Sequence, residues 1–229
     1  MAESKLLLGI DTCGPSGSVA LGRLSAGEVE ILGQIELEGR SYSATLVAAV
    51  GEVLAQAGAK LSLLHAMVAV NGPGSFTGVR VGLSAVKGLA EAARIPVVAV
   101  SRLEVLASKA GLVSSALDAH RHEVFLRVAR PHEEPMEMLA GARELAAIDP
   151  APLRIGLCDD AAALLLTSAW PVAELVRVPA PTAADALVLG VVRVAAGQFV
   201  DLALLDGHYL RRSDAEIFGE QVTAGPQRA

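Results

Sequence analysis

Asn71-Gly72-Pro73-Gly74-Ser75-Phe76-Thr77-Gly78-Val79-Arg80 joins two segments of different periodicity, and the whole chain is best read outward from it. On its N-terminal side Ala66 to Val70 is a short unbroken apolar run, the pattern of a strand covered on both faces. On its C-terminal side, roughly Thr77 to Arg94, side chains sort at helical spacing. The loop therefore opens a helix, where free backbone amides form a ready anion site. It lacks the Gly-Lys-Ser/Thr of a P-loop and the Gly-x-Gly-x-x-Gly of dinucleotide binders. Two readings stand at this point: an anion cradle, or a strand-to-helix turn with Ser75 or Thr77 as N-cap.

The helix after the loop carries three stripes. Val79, Leu83, Val86, Ala90 and Ala93 are apolar. Gly78, Gly82, Ala85, Leu89 and Ala92 adjoin them and are small except for Leu89, while Arg80, Ser84, Lys87, Glu91 and Arg94 are polar. The preceding helix, about Ser43 to Gln56, sets Leu46, Val50, Val53 and Ala57 on one side, with Thr45, Glu52 and Gln56 almost its whole polar complement. Such a pair is either buried within one protomer or presents an apolar patch to a partner, its small residues allowing close approach.

Before these helices, Lys5 to Thr12, Ser18 to Arg23 and Glu28 to Leu37 read as three strands; Pro96 to Val100 is a strand beyond them. The order βββαβα then returns in shortened form: strands at Ser114 to Asp118, Glu123 to Ala129 and Met136 to Leu139, a short helix at Arg143 to Ile148, a strand at Arg154 to Cys158, a helix at Asp160 to Ser168, and a strand at Glu174 to Val178. Thr182 caps a last helix, Ala183 to Ala196, and Gly197 stops it. Ile10-Asp11 and Leu117-Asp118 end the first strand of each half before a tight turn. The expected division is an N-terminal lobe over 1–103, a C-terminal lobe over 104–220, and a disordered tail over 221–229.

Composition narrows the function. Hydrophobic residues make up 52% and aromatics 3% of 229 residues, so the core is aliphatic and wholesale disorder is excluded. No apolar run approaches the roughly 20 residues that cross a bilayer, and a cytoplasmic location is expected. Two cysteines cannot build a secreted disulfide framework. With 19 basic against 25 acidic residues and no basic cluster, RNA contact must be weak, local or delegated.

Two βββαβα lobes resemble the plan of the actin-like and sugar-kinase-like (ASKHA) ATPases, an α/β fold. More specifically, Asn71 to Ala90 resembles the signature of the TsaB (YeaZ) family. Gly9-Ile10-Asp11-Thr12, the stretch Asp118-Ala119-His120-Arg121-His122-Glu123-Val124-Phe125, and Tyr209-Leu210-Arg211 support it. The resemblance implies a subunit of the tRNA threonylcarbamoyladenosine machinery that is not catalytic on its own. It implies a heterodimer with the TsaD-type catalytic subunit, a TsaE-type ATPase as further partner, and a homodimer when alone. tRNA would be met through the complex. ATP would be used by that complex, with no cofactor on this subunit alone and a nucleotide possible only at the partner interface. The assembly surface would comprise Asn71 to Gly78 with Arg80, Gly82, Leu83, Ala85, Val86 and Leu89, and Leu46, Val50 and Val53 of the preceding helix.

The catalytic relative holds its metal with a His-x-x-x-His pair. None of His65, His120, His122, His132 and His208 is so spaced, and no metal site is expected. Asp11, with Gly14 and Gly17, and Asp118 occupy positions where active ATPases of this fold meet phosphate and metal. A small-molecule kinase or ATPase is therefore the alternative, and a peptidase a more distant one.

Overall fold

The computed structural model describes residues 5–39, 41–130 and 133–211. The tail expected to be disordered lies outside them. Strands β1 (Lys5–Asp11), β2 (Ser16–Ser25) and β3 (Glu28–Glu38) form an antiparallel meander. Helix α1 (Tyr42–Gln56) and a single 3-10 turn lead into β4 (Leu64–Val70). Helix α2 (Phe76–Ala93) and β5 (Val97–Val100) complete a five-stranded sheet of order β3-β2-β1-β4-β5, with β4 and β5 parallel to β1.

The second half repeats the plan. Strands β6 (Ser115–Asp118), β7 (Val124–Val128), β8 (Met136–Ala140), β9 (Arg154–Leu157) and β10 (Glu174–Arg177) form a sheet of order β10-β9-β6-β7-β8. Read from the β8 edge, this is the order and strand sense of the first sheet read from β3. Helices α4 (Ala142–Ala146) and α5 (Asp160–Ala169) flank it. Two mixed sheets with flanking helices make the α/β fold expected from the repeat.

The unexpected element is α3 (Arg102–Lys109). The sequence reading passes over it because eight residues hold barely two turns of periodicity; its cap is the Ser101 hydroxyl, which accepts from the Leu103 amide at 3.2 Å. Although α3 follows β5, it packs on the second sheet. The last helix, α6 (Ala183–Ala195), follows β10 but packs on the first. Each half thus covers the other's sheet. A boundary at 103 falls inside α3, and Ala183, Ala186, Leu187, Val191 and Val194 belong to the first lobe's core. The physical reason is burial: β1, β2 and β4 are apolar on both faces, and α1 with α2 cover only one. Close packing follows on the other face, where a side chain on Gly190 would meet Val68 and one on Gly9 would meet Ala183 and Leu187.

Candidate functional site

The loop at the end of β4 is held on every side. The Asn71 amide donates to the Val100 carbonyl (3.1 Å), the Arg102 amide to the Gly72 carbonyl (2.6 Å), and the Ser75 amide to the Cys13 carbonyl (2.8 Å). Ser75 caps α2, its hydroxyl accepting from the Gly78 amide at 3.2 Å. The C-terminal segment closes the remaining side: the His208 amide donates to the Asn71 carbonyl (2.7 Å), and the Asn71 side chain reaches the Asp206 carbonyl (3.5 Å). Gly72 and Pro73 are buried, joined by a cis peptide bond; Gly74 is half-buried.

Beneath the loop lies a buried polar cluster. Asp11 is 1% exposed; its carboxylate accepts from the Cys13 amide (2.8 Å) and pairs with the Arg102 guanidinium (3.3 Å). Burial works against the Arg102 charge, but the adjacent Asp11 outweighs it and the guanidinium is held charged more firmly than usual. Burial, reinforced by Asp11, raises the Tyr42 hydroxyl to about 12 and pushes the Cys13 thiol well up, leaving both protonated. Tyr42 donates to the Gly14 carbonyl at 2.9 Å.

Asp11, Gly14 and Gly17, read from the sequence as an approach to phosphate, instead face the protein's own side chains in this structure. A side chain on Gly14 would strike the Arg102 guanidinium, and one on Gly17 would lie 2.7 Å from the Asp11 carbonyl oxygen and 2.9 Å from the Tyr42 ring. The space these glycines leave is filled by the protein's own arginine and tyrosine. Asp118 is also engaged: it accepts from the His120 amide (2.8 Å) and meets the imidazole (2.9 Å), closing a turn in which His120, Arg121 and His122 all have φ near +60° (60°, 55° and 60°). Among the described residues, no group of three or more His, Cys, Asp and Glu is arranged to hold a metal ion.

The expected assembly surface divides in two. Leu46, Val50, Val53, Leu83 and Val86 are buried in the first core and face the sheet. Gly78 and Gly82 are buried too: a side chain on either would strike Thr12, whose hydroxyl donates to the Gly78 carbonyl at 2.7 Å. Their smallness lets the end of β1 approach α2, so they are not part of an outer face. What remains outside is Ser75, Phe76, Thr77 and Arg80, exposed, with Ala85 and Leu89 half-buried.

Between α1 and α2 runs an open groove of about 340 Å³, lined by Tyr42, Ser43, Leu46, Val47, Arg80, Val81, Ser84 and Ala85. Val47, 61% exposed, was absent from the expected surface, as was Val81. The available signal was that α1 is apolar beyond the stripe it buries: Ala44, Val47, Ala48, Gly51 and Ala55 all face outward. A second, polar cleft of about 370 Å³ lies between the lobes. There Glu137 of β8 accepts from Ser101 (2.7 Å), Arg127 (2.7 Å) and His208 (2.9 Å). Burial alone raises the Glu137 carboxyl, yet these hydrogen bonds and the Arg127 charge prevail and hold it below the usual carboxylate value.

A family model described as TsaD, tRNA N6-adenosine threonylcarbamoyltransferase, matches residues 32–143. The TsaB protein of Haemophilus influenzae is 38% identical over 129 residues, covering 54% of this chain and 53% of its own. The alignable part thus spans about half the length of the curated TsaB relatives. An uncharacterized protein of Mycobacterium tuberculosis is 31% identical over 214 residues, 92% of this chain and 93% of its own. The solved structure of YeaZ from Pseudomonas aeruginosa superposes with a TM-score of 0.65 at 29% identity, over 90% of this chain and 100% of that one. Together with the duplicated sheets of this chain, these matches place the fold with the actin-like proteins, and the chain belongs to the TsaB/YeaZ family.

Proposed function

We propose that this protein serves tRNA threonylcarbamoyladenosine biosynthesis as a non-catalytic subunit, docking on a TsaD-type catalytic partner through the outer faces of α1 and α2. The carrying observation is the exposed, nearly uncharged groove between those helices, with Val47 61% exposed at its rim. The names of the TsaB relatives supply the pathway. The same face would pair two copies when the partner is absent, because the partner resembles this chain in fold. A TsaE-type ATPase would join the complex in the cytoplasm, tRNA would be met through the assembly, and any nucleotide would sit at its interface.

A kinase or ATPase reading requires an acid free to meet metal or phosphate, and Asp11 is committed to Arg102. The deciding experiment is reconstitution with the TsaD-type and TsaE-type subunits, threonylcarbamoyl-adenylate and tRNA, with and without this chain. Modification is expected to depend on the chain, and the isolated chain to turn over no ATP. Equal modification without it, or turnover by the isolated chain, would sink the proposal.

A further inference from the structure

This chain has four Phe, two Tyr and one Trp, yet two of these rings meet on the surface. Phe76 and Tyr209, 38% and 37% exposed, lie with centroids 5.0 Å apart and planes at 46°. The Arg80 guanidinium carbon stands 3.9 Å from the centre of the Phe76 ring and 6.0 Å from that of Tyr209. Phe76 and Arg80 are one helical turn apart on α2, which puts them on one face. Tyr209 comes from the C-terminal segment, fixed there by the His208 amide on Asn71. Burial in the core does not explain such a cluster, since all three side chains remain open to solvent.

A guanidinium over a ring face meets the ring through its carbon and leaves N–H donors at its edge for a planar acceptor. Among the described residues, no carboxylate pairs with Arg80. Stacking also removes, before any partner arrives, much of the rotamer freedom that an exposed arginine would lose on binding. Among the described residues, Arg80 is the sole charged side chain lining the α1/α2 groove. Aromatic residues and arginine beside an apolar groove have the composition of an interface hot spot.

The geometry points to Arg80, clamped by Phe76 and Tyr209, as the anchor of the docking face, receiving a carboxylate from an apolar helix of the partner. This rests on the docking reading above and adds the chemistry of the occupant: a helix of small and apolar residues with one Asp or Glu placed to meet Arg80. An RNA phosphate is the less fitting acceptor, because the adjoining groove is apolar and the protein carries a net charge of −6.

The test is calorimetric titration of the TsaD-type subunit onto the wild type, Arg80→Ala, Arg80→Lys and Arg80→Glu, each first checked for an unchanged melting temperature. Arg80→Ala is expected to weaken binding by about 30-fold, within the range of hot-spot truncations, and Arg80→Glu by more. Arg80→Lys, which keeps the charge but loses the planar fork, should fall between wild type and alanine. Wild-type affinity should drop with added salt more steeply than that of Arg80→Ala. Binding by Arg80→Ala within about threefold of wild type would overturn the anchor while leaving the docking proposal intact. Failure of the wild type itself to bind would remove both. Titration with polyuridylate separates the acceptors: RNA binding by the wild type that Arg80→Glu abolishes would overturn the carboxylate assignment.

Discussion

Asp11 and Arg102 are 91 residues apart in sequence and form an ion pair with side chains 1% and 6% exposed. The pair lies beneath the loop and ties three pieces of chain together: the end of β1, the loop through the Arg102 amide on Gly72, and the start of α3. Removing one partner strands the other charge in the core. Arg102→Ala is therefore expected to lower the free energy of unfolding by about 3–5 kcal/mol, measured by urea titration. The paired replacement Asp11→Leu with Arg102→Met should recover most of that loss, since well-packed apolar residues are often neutral at such sites. A deficit in the double variant as large as in the single one would show that the pair does more than avoid an orphaned charge. The Cys13 thiol lies in the same cluster, donates to the Val70 carbonyl at 3.3 Å and is held protonated by burial, so it acts as a small core residue.

At the scale of elements, α2 serves two neighbours. Its inner side, Val79, Leu83, Val86 and Ala90, closes the first core, and Gly78 with Gly82 admits Thr12. Its outer side, with α1, forms the groove. These roles predict that an outward substitution beside the groove spares the fold but not the association. Val47→Glu should leave stability within about 0.5 kcal/mol, because the side chain is already 61% exposed. The same change should weaken association with the TsaD-type subunit by at least about tenfold, because it places a desolvated charge in an apolar contact. Sedimentation velocity on the mixed subunits checks this, and undiminished association would argue that the groove is not the docking face.

The molecule as a whole is held together by exchange and by a strap. Helices α3 and α6 each cover the other half's sheet, and the C-terminal segment crosses between the lobes. Leu205 is buried in the first core, His208 touches both Asn71 and Glu137, Leu210 packs beside Leu103 and Phe125, and Arg211 pairs with Glu123. Glu137 is the node where strap, β7 and α3's cap converge, and its carboxyl is held below the usual carboxylate value in the folded state. A depressed acid stabilises the fold fully above its unfolded pKa and loses that contribution as pH falls through the folded value. Glu137→Gln should thus cost about 1.5–3 kcal/mol near neutral pH, the worth of hydrogen bonds to a charged group. The gap between variant and wild type should narrow as pH falls below the ordinary carboxylate range and wild-type Glu137 takes up its proton. Urea titrations from pH 3 to 7 measure it, and a gap independent of pH would mean that the charge is not what the node uses.

The amino-acid sequence by itself determined the elements and their order, apart from the short helix α3. Strand and helix periods are local, as are caps such as Thr182 with Asp185, so the duplicated βββαβα pattern could be read without coordinates. The loop from Asn71 to Arg80 also identified the family. Only the tertiary structure decided what each face meets. A stripe of small residues at helical spacing looks the same whether it receives a strand of its own chain or a helix of another, so the inward use of Gly78 and Gly82 was hidden. An acid before a glycine-rich turn likewise looks the same whether it awaits phosphate or an arginine 91 positions away. Contacts distant in the chain leave no local period, and for that reason the arginine beneath the loop and the crossing of α3 and α6 had to be seen in space.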